Sequence, residues 1–186
     1  MVERPKDAMI EQEEYIIFDI ETSGFDPYKD KIIEIGAVKL KGRNIIDRFS
    51  AFVNPEVPIP EEIIKLTNIT DDMVKDAELI DTVLPRFLEF CGDCTMVAHN
   101  AKFDVGFLTQ KARQLELEFL PSVIDTLYWA RVLITDLKRF NLKALANYFN
   151  ISLDNHHRAV DDAEATASIF IKMLNMVLSK GILQIY

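Results

Sequence analysis

Residues 15–21, YIIFDIE, form an apolar, β-branched run, the pattern of a strand buried on both faces. The turn formers of TSGFDPYKD end it. KIIEIGAVKLKG (31–42) and NIIDRFSAFV (44–53) read as two further strands with Gly42 in their connection, so the three predict an antiparallel meander. NPEVPIP is an extended, proline-rich loop. A short helix is predicted at about 61–66, and Thr70 is predicted to cap a second one that opens with Asp71 and Asp72. Residues 81–92 read as an amphipathic helix and TMVAH (95–99) as a short buried strand.

Beyond this strand the period changes from two to 3.6. Phe103, Phe107, Leu108, Ala112 and Leu115 fall at helical spacing within 103–116. Another helix is predicted over 125–134, with Asp125 or Thr126 near its start, and Asn141 is placed as the cap of LKALANYF. The last helix, about 160–179, carries Ala163, Ala167, Phe170, Met173, Leu174 and Val177 along one stripe. Strands followed by helices, a strand and more helices imply an α/β chain with helices packed on a mixed sheet.

A length of 186 residues suits one domain with a real core, expected over 14–180, with a polar lead-in at 1–13 and a short apolar tail at 181–186. The opening MVERPKDAMIEQEE has no apolar signal core, which predicts a cytoplasmic protein. Cys91 and Cys94, in CGDC, match half of a zinc or redox motif; without a second ligand pair they read as two reduced thiols at a helix end. The net charge of −9 argues against nucleic-acid binding by charge alone, but not against an enzyme whose bound cations supply the positive field. It also suggests delivery of substrate by a partner or a larger polypeptide.

Three segments carry candidate chemistry. Asp19 and Glu21 stand two apart in an otherwise apolar strand, so their side chains share one face. Two anions together in a partly buried place repel each other and call for a cation, with hard oxygen ligands suiting Mg²⁺ or Mn²⁺. In HNAKFD (99–104), Asp104 lies at a strand-to-helix junction, where taken alone it is a first-turn acid favoured by the helix dipole. In HHRAVDDAEAT (156–166), His157 precedes the last helix and Asp162 follows five residues on, while His156 and Asp161 read as bystanders.

Taken together, FDIETSG, AHNAKFD and HHRAVDDAEAT resemble, in order and spacing, the three motifs of the DEDDh (DnaQ-like) 3′→5′ exonucleases, over roughly residues 14–178. LTNITDDMV and the HHRA start of the third motif are most similar to the branch that proofreads for bacterial DNA polymerase III of the PolC type. Asn68 departs from the family's usual glycine in T-G-I-T, and asparagine is the residue next best suited to a left-handed backbone.

The resemblance implies a ribonuclease H-like fold with a central mixed five-stranded sheet whose first three strands are antiparallel. It implies that Asp19, Glu21, Asp104 and Asp162 hold two divalent cations, Mg²⁺ or Mn²⁺, and that His157 is the general base. The product would be nucleoside 5′-monophosphates from a single-stranded or frayed DNA 3′ end. The backbone near Thr22 would meet the terminal 3′-hydroxyl, Phe25 would wedge beside the terminal base, and Asn100 and Phe103 would shape the pocket. On residues alone, Phe25 and Phe103 serve equally as core and Asn100 as a helix cap. An RNA-directed exonuclease of the same family, or a non-catalytic nucleic-acid-binding scaffold, are the alternatives.

Overall fold

The computed structural model describes residues 13–153 and 157–180. The expected lead-in, the tail at 181–186 and His156 lie outside the described residues, apart from Glu13. The sheet has five strands: β1 (Glu14–Thr22), β2 (Ile32–Lys41), β3 (Asn44–Phe52), β4 (Thr95–Ala98) and β5 (Val123–Asp125). Their spatial order is β3-β2-β1-β4-β5. β1 is antiparallel to β2, β2 to β3, and β4 is parallel to both β1 and β5. Among the described residues there are seven helices: α1 (Glu61–Thr67), α2 (Asp71–Val74), α3 (Ile80–Cys91), α4 (Lys102–Gln114), α5 (Thr126–Leu133), α6 (Leu142–Phe149) and α7 (Ala159–Lys180).

The central strand explains the two-layer cover. Ile16, Phe18 and Ile20 point into one core with Phe87 of α3 and Phe107 of α4. Ile17, on the opposite face, joins Trp129 of α5, Leu145 of α6 and Phe170 of α7. A strand buried on both faces reads as a continuous apolar run, which is why YIIF lacks alternation. Asp19 and Glu21 continue the Ile17 face, the one that α7 covers.

The fifth strand corrects the helix expected over 125–134. Val123–Asp125 is a strand, and the helix spans Thr126–Leu133 with Asp125 as its cap, accepting from the Leu127 amide at 2.8 Å. Three residues are too few to express a period of two, so β5 could not be read apart from its helix. Asn141 caps α6 as expected, its side chain accepting from the Ala144 amide at 2.9 Å. Thr70 stands at the start of α2 with an extended backbone, but its side chain makes no capping bond. Asn68 is left-handed, φ 57°, at the end of α1. Among the described residues no helix is long and apolar enough to cross a membrane.

Candidate active site

Each of the three motifs brings its carboxylates to the same end of β1 by a different route. Asp19 and Glu21 arrive on β1 itself. The β1–β2 ladder shifts register between Glu21 and Thr22, a bulge that turns the strand away just past the pair. Asp104 arrives in the first turn of α4. β4 pairs with β1 only as far as Ile17, so the Ile20 amide beyond that point has no strand neighbour on the β4 side. The Asp104 carboxylate accepts that amide at 3.1 Å.

Asp162 arrives in the first turn of α7, and here a glycine decides the approach. Gly36 lies opposite Asp19 on β2. A Cβ on Gly36 would fall 2.1 Å from the Val160 nitrogen and 2.2 Å from the Ala159 carbonyl carbon. The backbone of α7 therefore rests directly on the sheet, which only glycine permits. Glu34, opposite Glu21 and 1% exposed, anchors the same helix. Its carboxylate accepts from the Ala159 amide at 3.1 Å and from Arg158 Nη2 at 3.0 Å. Arg158 in turn stacks over Phe52.

Glu34, Gly36 and Arg158 were not singled out from the sequence. A glycine and an acid inside the apolar run IIEIGAV were the available signals, since strand glycines mark close backbone approach.

His157 precedes α7 with a left-handed backbone, φ 71°. Its amide donates to the Asp162 carboxylate at 3.0 Å. A ring nitrogen of His157 and carboxylate oxygens of Glu21 and Asp162 lie within 4.8 Å of one another. The histidine thus leans on two of the four acids, a closer association with the carboxylates than a base standing apart from them.

The electrostatics are those of crowded anions. Glu21, Asp104 and Asp162 are buried, and Asp19 is half-buried. Desolvation, then the charges of Asp104, Glu21 and Asp162, hold the Asp19 carboxyl well above its ordinary range. Desolvation and the charges of Asp162, Glu34 and Asp104 push Glu21 to about 8 against the smaller opposing effect of Arg158. Desolvation pushes Asp104 to about 7, with the Ile20 amide pulling the other way. Arg158 is engaged by Glu34, so the four acids share an excess of negative charge that divalent cations with oxygen ligands would neutralise.

The RNase_T exonuclease family model matches residues 16–170. The chain belongs to this exonuclease family. The DNA polymerase III PolC-type protein of Caldanaerobacter subterraneus subsp. tengcongensis is 53% identical over 169 residues, 91% of this chain and 12% of that protein. The chain thus spans about an eighth of the length of such curated relatives, 12% in this case. Exonuclease X, solved with 5′ overhanging duplex DNA, is 29% identical with a TM-score of 0.71, covering 87% of this chain and 91% of that one. The nuclease domain of 3′hExo, a DEDDh member solved with rAMP, shares the fold at 22% identity and a TM-score of 0.75, covering 88% and 92%. The motif-based resemblance to DEDDh exonucleases and their PolC-type branch is borne out, as is the ribonuclease H-like sheet.

The residues expected to meet substrate surround the carboxylates unevenly. The Thr22 hydroxyl is buried and donates to the Gly24 carbonyl, shaping the loop that follows β1. A Cβ on Gly24 would overlap the Asp30 carboxylate, which accepts the Asp26 amide across that loop. This exonuclease loop carries Phe25, which is 74% exposed and therefore no core residue. Phe25 faces the half-buried Phe103 at 6.4 Å between ring centres, and Phe103 meets buried Phe107 at 5.1 Å. An aromatic ladder thus climbs from the core to the surface. Asn100 is left-handed, φ 63°, and donates its amide to Asp125 at 3.0 Å. It is not the cap of α4, whose N-cap is Ala101.

His99 is a satisfied strand-end histidine, its Nδ1 paired with the Thr126 hydroxyl at 3.0 Å. Cys91 is buried and Cys94 half-buried, both free thiols; burial pushes Cys91 up to about 12, which makes it inert.

Proposed function

We propose that this exonuclease releases nucleoside 5′-monophosphates from DNA 3′ ends, editing for a DNA polymerase III polypeptide, with two divalent cations and His157 as general base. The observation that carries the reading is the meeting of Asp19, Glu21, Asp104 and Asp162 from three distant segments, with His157 beside them. Burial and mutual repulsion raise Asp19, Glu21 and Asp104 above the ordinary carboxylate range, and the oxygens of the cluster suit Mg²⁺ or Mn²⁺. When bound, such cations activate water and stabilise charge on the phosphate and the departing 3′-oxygen.

The chain's own residues divide the remaining work. Asp104 is oriented by the Ile20 amide and Asp162 by the His157 amide, so each presents its oxygens at a fixed angle. His157 accepts the proton of the attacking water at a ring nitrogen; histidine's ordinary proton affinity suits that task near neutral pH. Glu21 and Asp162 would hold a cation with the His157 ring kept within reach of the same place. Phe25 and Phe103 stack on the terminal bases, a contact indifferent to base identity. Thr22 and Asn100 set the loops around the terminal sugar.

The editing role, and DNA rather than RNA as substrate, are supported by relatives named as DNA polymerase III, of which a stretch like this one is a small part. The net charge of −9 favours a site fed by such a tether in the cytoplasm. The test is digestion of 3′-labelled single-stranded, paired and mispaired DNA, and of RNA, with Mg²⁺, Mn²⁺ or chelator. Metal-dependent mononucleotide release from frayed DNA, abolished in Asp19→Ala with the fold intact, is expected. Turnover by Asp19→Ala matching the unaltered chain would remove the metal assignment.

A further inference from the structure

Beside the carboxylates lies a second, differently charged cavity of about 510 Å³, lined among others by His99, Asn100, Arg131, Lys138 and Phe140. Its inner wall is shared with the candidate site. His99 and Asn100 belong to the segment that ends in Asp104, and Asp125 fastens the Asn100 amide. The charges of Asp162 and of Arg131 both act on the His99 ring, from opposite sides of the balance.

Its outer wall is cationic in a chain of net charge −9. Arg131 and Lys138 are exposed, and neither makes an ion pair among the described residues. Arg48, Arg86 and Arg158, by contrast, are each held by a glutamate. Phe140, half-buried and packed against the core, lines the same cavity. Two unpaired cations, an amide side chain and a supported aromatic ring together match a nucleotide within a strand: phosphate for the cations, base for the ring.

We propose that this cavity holds a nucleotide of the strand beyond the two that flank the scissile bond, with Arg131 and Lys138 on its backbone phosphate and Phe140 against its base. The assignment rests on the exonuclease reading above and adds a path for the strand outside the carboxylate cluster. It gives an acidic protein a local foothold on polynucleotide, and it makes efficiency depend on substrate length.

The experiment compares a single-stranded 12-mer with a dinucleotide, each cut at one phosphodiester, in the unaltered chain, Arg131→Gln/Lys138→Gln and Arg131→Lys. The ratio of kcat/KM for the 12-mer over the dinucleotide should fall about tenfold or more in the double variant, mainly through KM, and be largely kept in Arg131→Lys. The salt dependence on the 12-mer should become shallower by about 0.7 per lost phosphate contact. An unchanged ratio overturns the proposal, as does an equal loss on both substrates. Anisotropy of a labelled 12-mer with the metal-free chain separates this from the catalytic reading. Weaker binding by the double variant upholds the cavity whether or not the chain hydrolyses DNA, and equal binding overturns it.

Discussion

The Asp104 carboxylate accepts the backbone amide of Ile20, between Asp19 and Glu21, at 3.1 Å. The second motif is thereby fastened to the first where β4 no longer pairs with β1. One side chain fills a gap in the sheet and carries one of four crowded charges, and the two duties can be separated. In Asp104→Asn the amide oxygen still accepts from Ile20 while the charge is gone. Turnover should drop at least 10²-fold, and the metal-free melting temperature should hold or rise. Thermal melting and mononucleotide release, measured on one preparation, check both halves.

Crowding also sets a pH dependence. Glu21 is raised from 4.5 to about 8 and Asp104 from 3.8 to about 7 in the folded chain. Across that window the folded state holds protons that the unfolded state has already lost, so metal-free stability falls as pH rises through it. Melting temperatures without metal should be higher near pH 5 than near pH 8, by several degrees at about 2–4 °C per kcal/mol. Added Mn²⁺ should raise the melting temperature more at pH 8, where the carboxylates are free to bind it. A flat profile without metal would show that the acids are not crowded in solution.

His157 has two readings with different consequences. As general base, His157→Ala should lose about 10²–10⁴-fold in kcat while Mn²⁺ affinity by calorimetry changes little. Because its ring lies with Glu21 and Asp162 within 4.8 Å, a ligand role would show as a weakened metal isotherm instead.

Gly36→Ala is expected to be damaging although alanine is the smallest change available. The new Cβ meets the α7 backbone at 2.1–2.2 Å, so the helix must lift from the sheet and carry Asp162 with it. A cost of about 1–3 kcal/mol is expected from overpacking, with exonuclease activity reduced more than the melting shift alone explains. A melting curve and a rate indistinguishable from those of the unaltered chain would show that α7 does not sit so closely.

Phe25→Ala tests the exposed end of the aromatic ladder. At 74% exposure the ring contributes little to the core, so stability should stay within about 0.5 kcal/mol. If it stacks on the terminal base, kcat/KM on single-stranded DNA should fall roughly 5–100-fold, following the 1–3 kcal/mol typical of such stacks. Equal rates would return Phe25 to the bland role of a surface residue.

Much of this was legible in the chain itself. The run YIIFDIE names a strand buried on both faces and sets two acids on one of them, because a period of two leaves no other arrangement. Asn141 as a cap, the left-handed Asn68 and the long final stripe are local matters, decided within a few residues. The three motifs also marked the carboxylates and His157 through their spacing.

What tertiary structure decided is how they meet. The use of Asp104 to satisfy Ile20, 84 positions away in the chain, depends on where β4 stops. The seat of α7 on Gly36, and the clasp of Glu34 on Arg158 and Ala159, join partners more than 120 residues apart. No periodicity reports such distances, because period describes the direction of side chains along one element and not the closeness of two. The sequence determined the donors and the strands and helices that carry them. Packing determined their convergence, and with it the mutual repulsion that calls for metal.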